Sequence, residues 1–170
     1  MPFPAPGRSI ADGQLSSAPA VNAEPGTVPF AITFDPAGNL VIAESGTDAL
    51  ATFSLSEGGV ATELDTLGTG QAATCWATAV NGNFYASNAG SGTVSQFEDT
   101  PTGLLSLEGS TGTDAGTVDS AASVDGELLY VQTGANGIVE EYRIAANGSL
   151  SEIGSVTVSG AVGGEGIVAF

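Results

Sequence analysis

Histidine and lysine are absent from this 170-residue chain, and arginine occurs only twice, at Arg8 and Arg143, against 19 Asp and Glu residues. Without histidine, a Cys/His metal cluster is excluded. The net charge of −17 also disfavours two classes of partner, because nucleic acid is bound through clustered Lys and Arg and a negative field repels anionic lipid surfaces. We therefore expect neither a nucleic acid nor a membrane partner.

Cysteine and long apolar runs are scarce as well. Cys75 is the only cysteine, so an intrachain disulfide is impossible, and with no His or Lys beside it an inert buried thiol is favoured over a nucleophile. No 18 apolar residues run together, and the first thirty residues lack the basic and apolar regions of a secretion signal. The sequence predicts no export signal and no membrane span, and it leaves the compartment open.

The acidic residues are scattered along the chain, and Glu98-Asp99 and Glu140-Glu141 are their only adjacent pairs. This pattern is typical of a solvated acidic surface that keeps a protein soluble. Adaptation to high salt and nonspecific cation binding are the alternatives.

What the sequence does contain is a repeat of about 45 residues. Short apolar segments recur at spacings of 46, 44 and 46 residues and begin at Pro29, Cys75, Asp119 and Glu165. Turn glycines recur at spacings of 46, 44 and 45 residues, at Gly13, Gly59, Gly103 and Gly148. This period is the length of one four-stranded β-propeller blade.

Each repeat contains four strand-like runs of Val, Ile, Thr, Phe and Tyr between turn residues, and no stretch has a helical apolar period. Asn81-Gly82 and Asp125-Gly126 are dipeptides that close two-residue hairpins. We predict an all-β propeller with almost no helix, composed of three complete four-stranded blades and a split, incomplete fourth blade. The predicted divisions are an N-terminal segment 1–25, which supplies an outer strand near 14–21, three blades at 29–74, 75–118 and 119–164, and a closing strand 165–170 within the propeller 26–170.

Several short motifs in this order and spacing resemble the lactonase-type seven-bladed β-propellers, the family of 6-phosphogluconolactonases and carboxymuconate-lactonizing enzymes. The motifs are Pro29-Phe30, Cys75-Trp76, Ser87-Asn88, Leu129-Tyr130-Val131 and Glu165-Gly166-Ile167, within a likeness that covers Gly26 to Phe170. The resemblance implies C-terminal blades of a protein about twice this long. It also implies lactone hydrolysis by His, Arg and Glu side chains in the central channel, but this chain has no histidine and its arginines lie elsewhere.

The ends of the repeat pattern leave two alternatives for ring closure. The segment Pro2–Gly7 contains three prolines, which do not belong in a central strand, so two middle strands of the fourth blade are unaccounted for. Either the chain is a fragment of a longer propeller, or another copy supplies the closure by self-association.

The candidate site lies at the loops that lead into the inner strands and those that join the second strand to the third. By register these loops present two candidate catalytic carboxylates, Asp119 and Glu165. They also present four candidate ligand-binding residues, which are Glu44, Trp76, Asn88 and Asn136. The carboxylates could hold a divalent cation or act as an acid/base pair, although no cofactor is specified by the sequence.

Two functions follow as hypotheses. The first is a lactone hydrolase acting on a small sugar or muconate-type lactone. The second is a noncatalytic propeller segment whose channel rim binds a small molecule or a partner protein. A structural role competes at several of these positions, since Asp119 and Glu165 begin strands and Trp76 could serve packing alone.

Overall fold

The computed structural model describes residues 4–7, 10, 11, 14, 15 and 17–170, and among them there is no helix. Three antiparallel sheets of four strands each follow one another along the chain. The predicted all-β propeller architecture is therefore confirmed as a partial propeller. No helix in the described part is long and apolar enough to span a membrane.

The first complete sheet, blade I, contains β5 (Pro29–Phe34), β6 (Leu40–Glu44), β7 (Ala49–Leu55) and β8 (Ala61–Gly68). Blade II contains β9 (Thr74–Val80), β10 (Asn83–Asn88), β11 (Thr93–Asp99) and β12 (Leu105–Gly112). Blade III contains β13 (Thr117–Ala122), β14 (Leu128–Thr133), β15 (Ile138–Ile144) and β16 (Leu150–Thr157). In each blade the strands pair in chain order.

The hairpin turns follow the local sequence in one case and depart from it in another. Asn81 and Gly82 both have positive φ, at 52° and 78°, as a two-residue turn requires. The turn at Asp125-Gly126 is longer than predicted, because β13 ends at Ala122 and β14 begins at Leu128. There the Asp125 carboxylate accepts hydrogen bonds from the Ser123 hydroxyl and the Glu127 amide, which stabilises the wider loop.

Alternate residues of each blade face its two neighbours. On blade I the face toward blade II carries Val41, Ala43 and Leu50, and they pack on Phe84, Ala86 and Phe97 of blade II in one buried cluster. A second cluster joins blade II to blade III and contains Tyr85, Val94, Leu129, Val131 and Tyr142. We call the face toward the preceding blade the upstream face and the other the downstream face.

Polar side chains on the downstream faces of blades I and II donate hydrogen bonds to backbone carbonyl groups of the following blade. Thr52 donates to the carbonyl oxygen of Gly103, and Gln96 donates to that of Asn147 at 2.8 Å. The buried Tyr85 hydroxyl donates to the Gly148 carbonyl at 2.7 Å. The acceptors lie in the turns between the third and fourth strands, so these turns fix the spacing of the blades.

The N-terminal part forms two small pairs of strands. β1 (Pro4–Gly7) pairs with β4 (Ala20–Ala23), and β2 (Ile10–Ala11) pairs with β3 (Gln14–Leu15). β1 has a partner on one side only, which suits its prolines. The outer strand expected near 14–21 is thus replaced by β3 and β4.

The Asn22 side chain attaches β4 to the outer part of blade I. Its amide group donates to the Gly59 carbonyl at 2.9 Å, and its oxygen accepts from the Ala61 amide at 2.9 Å. β4 therefore occupies the position of an outer strand in a blade that precedes blade I.

The segment 165–170, predicted as a closing strand, forms no strand in this structure. It nevertheless runs beside blade III, since the Ile167 amide donates to Asp119 at 3.3 Å and the Gly163 amide donates to the Gly134 carbonyl at 2.8 Å. The physical reason is that a strand needs a ladder partner, and the described residues offer this segment only isolated hydrogen bonds.

Candidate functional site

The inner strands of the three blades lie side by side, with β5 next to β9 and β9 next to β13. The rings of Phe30 and Trp76 meet edge to face with centroids 4.8 Å apart. Between the next pair, the Thr78 hydroxyl donates to the Ser120 carbonyl at 2.8 Å. The inner strands therefore form one continuous wall.

The two sets of loops singled out in the sequence meet at one end of this wall, which we call the channel rim. In blade I the Gly46 amide donates to the Thr27 carbonyl at 2.8 Å, and in blade II the Gly90 amide donates to the Ala72 carbonyl at 3.0 Å. The equivalent bond in blade III joins the Gly134 amide to the Gly116 carbonyl at 2.7 Å. Gly46 is required here, since a Cβ would lie 2.2 Å from the Gly26 carbonyl oxygen.

Asp119 and Glu165 lie on neighbouring inner segments. One oxygen of Asp119 accepts from the amide of Ser120 at 2.8 Å, and the other accepts from the amide of Ile167 at 3.3 Å. Asp119 thus holds the segment that carries Glu165, whose side chain is exposed. An exposed carboxylate on a segment held in this way can take a proton from water or accept a hydrogen bond from a ligand.

Cys75 lies near the start of β9, where the charges of Asp48 and Glu165 act on it. Burial and then the negative charges of Asp48 and Glu165 raise the pKa of the Cys75 thiol. The thiol therefore stays protonated at neutral pH, which agrees with an inert cysteine.

Trp76 is half-buried and contacts Phe30, which is itself exposed. The indole can offer part of its surface to a ligand while its edge packs on the neighbouring blade.

Asn88 is removed from the candidate site by its surroundings, although the sequence suggested that it binds ligand. Its side chain is 0% exposed. The Thr74 hydroxyl donates to its oxygen at 2.7 Å, and its amide group donates to Ser95 at 2.9 Å and to Thr93 at 3.1 Å. With both polar atoms in use, Asn88 holds the start of β9 against β10 and β11.

Glu44 is buried and lines a cavity of about 360 Å³ on the upstream face of blade I. Burial raises the pKa of Glu44, the hydrogen bond from Thr47 at 3.0 Å opposes this, and the charges of Glu24 and Glu63 add to it. Glu44 therefore faces this cavity, in which its neighbours are mostly apolar.

Asn136 is exposed and donates to Asp114 at 2.8 Å. This hydrogen bond is the main cause of a lowered Asp114 pKa. The Asp114 amide in turn donates to the buried Glu140 at 3.0 Å, and the Tyr142 hydroxyl donates to the same carboxylate at 3.1 Å. Burial raises the pKa of both Glu140 and Tyr142.

Sequence reasoning missed the roles of Asp114 and Glu140 in this network. The adjacent pair Glu140-Glu141 attracted attention only as a charge pair. The sequence did contain a signal that Glu140 is buried. Glu140 occupies an inward position in its strand, and its neighbours Val139 and Tyr142 are apolar or aromatic.

No group of three or more His, Cys, Asp and Glu side chains in the described part of the chain is arranged to hold a metal ion. The cation that the sequence left open thus has no site of this kind among those residues. Arg143, the one Lys or Arg within the described ranges, lies 3.9 Å from Glu127 with both side chains mostly exposed. Arg8 lies outside the described residues.

Neither a protein-family model nor a curated protein sequence matches this chain. Solved structures do match. A Bacteroides uniformis protein proposed to be a 6-phosphogluconolactonase is 20% identical with a TM-score of 0.74, over 88% of this chain and 50% of that one. A Lactobacillus plantarum protein is 18% identical with a TM-score of 0.74, over 87% and 49%. The Pseudomonas aeruginosa periplasmic gluconolactonase PpgL is 16% identical with a TM-score of 0.68, over 78% and 43%.

At these identities the likeness shows the fold, which is that of lactonase-like β-propellers. The chain spans about half the length of each of these structures.

Proposed function

We propose that this chain belongs to a lactone-hydrolysing propeller and that its channel rim binds the lactone beside Asp119 and Glu165. The observation that carries the proposal is the pair of carboxylates on adjacent inner segments, joined by the hydrogen bond from the Ile167 amide to Asp119. The structural likeness to a gluconolactonase and to a proposed 6-phosphogluconolactonase supports the same class of substrate.

In this proposal Glu165 is the general base. Its carboxylate takes a proton from water, the water oxygen attacks the lactone carbonyl carbon, and the ring C–O bond breaks. The departing ring oxygen then recovers the proton from Glu165, so that the enzyme is unchanged and the product is a hydroxy acid. Asp119 positions the segment that bears Glu165, and Trp76 offers an apolar surface to the ring of the substrate.

The charge of the chain favours an uncharged sugar lactone over a phosphorylated or muconate-type one. Within the described ranges the one basic side chain, Arg143, lies at the end of β15 beside Glu127, away from the rim. An anionic lactone would meet the negative field of Asp119, Glu165 and Asp48 without a compensating cation.

The test compares initial rates of hydrolysis of gluconolactone and 6-phosphogluconolactone, corrected for spontaneous opening. We expect faster turnover of gluconolactone and a loss of about 100-fold or more in kcat for Glu165→Gln, the scale of general base catalysis. Asp119→Asn should lower kcat less, because an amide oxygen can still accept from Ile167. The matched control is Glu127→Gln, an exposed acid in the turn between β13 and β14, away from the channel rim, which should retain the wild-type rate. Wild-type activity in Glu165→Gln would refute the assigned base.

A noncatalytic binding rim is the second candidate. It is favoured by the half-buried Trp76, which contacts Phe30 on the inner wall and offers an apolar surface to a ligand without supplying a catalytic group. Absence of turnover on every lactone, together with calorimetric binding of sugar lactones or sugar acids, would establish this alternative.

A further inference from the structure

The upstream face of blade I carries an apolar groove that the described residues leave partly open. Ile32 is 54% exposed and Phe34 is 56% exposed, both on the inner strand β5. With Leu40, Ile42 and Leu55 they line the 360 Å³ cavity that β4 borders at its outer end.

The register of the sheets identifies this groove as a blade-packing face. Leu40, Ile42 and Phe53 pair across β6 and β7 in the same way as Phe84, Ala86 and Phe97 pair across β10 and β11. In blade II the equivalent residues are buried against blade I. The open part in blade I lies over the inner strand, while β4 covers the outer part through Asn22. The missing element is therefore an inner strand.

The segment 165–170 has the sequence and exposure of such an inner strand. It repeats the position of Pro29–Phe34, Thr74–Val80 and Thr117–Ala122 along the chain, and it already runs beside β13 through Ile167. Its apolar side chains Val168 and Phe170 are 70% and 95% exposed. Solvent exposure of two apolar side chains on one unpaired segment indicates a surface that another element covers.

We propose that two copies of this chain associate head to tail, with segment 165–170 of one copy seated in the blade I groove of the other. Each junction then combines an inner strand from one copy with β4 and β1 of the other, so that one blade is assembled from two chains. Val168 and Phe170 cover Ile32 and Phe34, while Ile167 keeps its bond to Asp119 in its own chain.

Two further observations favour a second copy as the occupant. The groove and the segment that fits it lie on the same chain, so a second copy presents both surfaces at once. Residues 166–170 contain no charged side chain, so their entry into an apolar groove desolvates no side-chain charge. The net charge of −17 per chain opposes association at low salt, and association should strengthen as salt screens the repulsion.

Light scattering after size exclusion at 0.5 M NaCl measures the outcome. We expect a mass twice the 16.6 kDa of one chain. Phe34→Asp in the groove and Phe170→Asp in the segment should each give the mass of one chain. Val124→Asp is the matched control, because Val124 is 86% exposed but lies in the turn between β13 and β14, so that its mass should remain that of the wild type.

Mixing the two variants tests the head-to-tail geometry and guards against misfolding. Phe34→Asp retains an intact segment 165–170, and Phe170→Asp retains an intact groove, so an equimolar mixture can form one junction and should recover the doubled mass. A wild type that stays at the mass of one chain over a 100-fold concentration range overturns the proposal. A mixture that fails to associate overturns it as well.

Discussion

At the scale of single residues, the least predictable feature is a pair of carboxyl groups between blades I and II. The carboxyl groups of Asp35 and Asp99 lie close enough to influence each other's ionisation. Burial and the neighbouring Asp35 raise the pKa of Asp99 to about 6. Burial also acts to raise the pKa of Asp35, but hydrogen bonds from Asn39 outweigh it and lower that pKa. The two groups therefore share a proton below about pH 6 and repel each other above it.

This pair predicts a pH dependence of stability. Because the folded protein holds the Asp99 proton up to about pH 6 while the unfolded chain releases it near pH 4, the contribution of Asp99 is lost as the pH rises through this window. Asp99→Asn should be more stable than the wild type at pH 8, by an amount that solvent screening of the partly exposed carboxyl reduces to about 2 kcal/mol, and show little difference at pH 4. Urea unfolding at both pH values measures this.

Asp125→Asn is the control for that experiment. Hydrogen bonds from Ser123 and Glu127 lower the pKa of Asp125, so its replacement should reduce stability at pH 8. A gain of the same sign in both variants would show that general charge reduction, and not the shared proton, is responsible.

Residue positions of this kind were predictable only where the repeat itself defines them. Asp119 and Glu165 begin inner segments, and their shared register predicted that they lie on neighbouring segments. Asp35 and Asp99 are 64 residues apart, which is no multiple of the period, so their contact could not be read from spacing. The burial of Asn88 was missed because its partners Thr74 and Ser95 belong to different strands that only the folded blade brings together.

At the scale of the elements, the turns between third and fourth strands do more than reverse the chain. The turn of blade III places Gly148 against blade II, with φ of 76°, where an added Cβ would lie 2.1 Å from the Asn83 side-chain oxygen and 2.2 Å from the Gln96 amide nitrogen. Position 148 thus needs glycine both for its backbone conformation and for the closeness of the preceding blade.

Gly148→Ala should destabilise the protein by about 3 kcal/mol, from backbone strain and displacement of Gln96. Gly38→Ala isolates the first effect, since Gly38 has φ of 88° but no atom within 4 Å of an added Cβ, and it should cost about 1 kcal/mol. Thermal unfolding of both variants provides the comparison. Equal losses would contradict a contact between the blades at this turn.

Element boundaries were predictable where the turn chemistry is strictly local. Asn81-Gly82 fulfils its expected conformation because both residues accept positive φ. Asp125-Gly126 does not, because the Asp125 side chain caps two donors of its own loop. The dipeptide alone does not indicate whether a two-residue turn forms or whether the Asp side chain stabilises a wider loop.

At the scale of the whole molecule, the period predicted the architecture because each blade repeats the same burial of apolar residues against its neighbour. The N-terminal pairs of strands were not predictable, since the repeat pattern fades there. The position of β4 depends on the hydrogen bonds of Asn22 with Gly59 and Ala61. The sequence around Asn22 gives no sign of these long-range contacts.

The acidic surface predicts a dependence of stability on salt. Nineteen acids against two arginines repel one another in the compact state. We expect Tm to rise by about 5 °C or more between 10 mM and 1 M NaCl at constant protein concentration, because the Debye length falls from about 30 Å to about 3 Å over this range.

Choline chloride at the same ionic strength is the control for that measurement. An equal rise in Tm with both salts indicates screening. A rise with NaCl alone would show that sodium binds at particular acidic groups, and the screening explanation would then be wrong.

The fastening of one blade to the next has a consequence for how this sequence can change. Thr52, Gln96 and Tyr85 are three different side chains, yet each reaches a main-chain oxygen in the following turn. A peptide oxygen is present whatever amino acid occupies the turn, so substitutions that keep the glycine of the turn leave the acceptors in place. The repeats can consequently diverge in sequence while the spacing between blades is kept. This accounts for a repeat that is visible in the spacing of its strands and turns more than in residue identity.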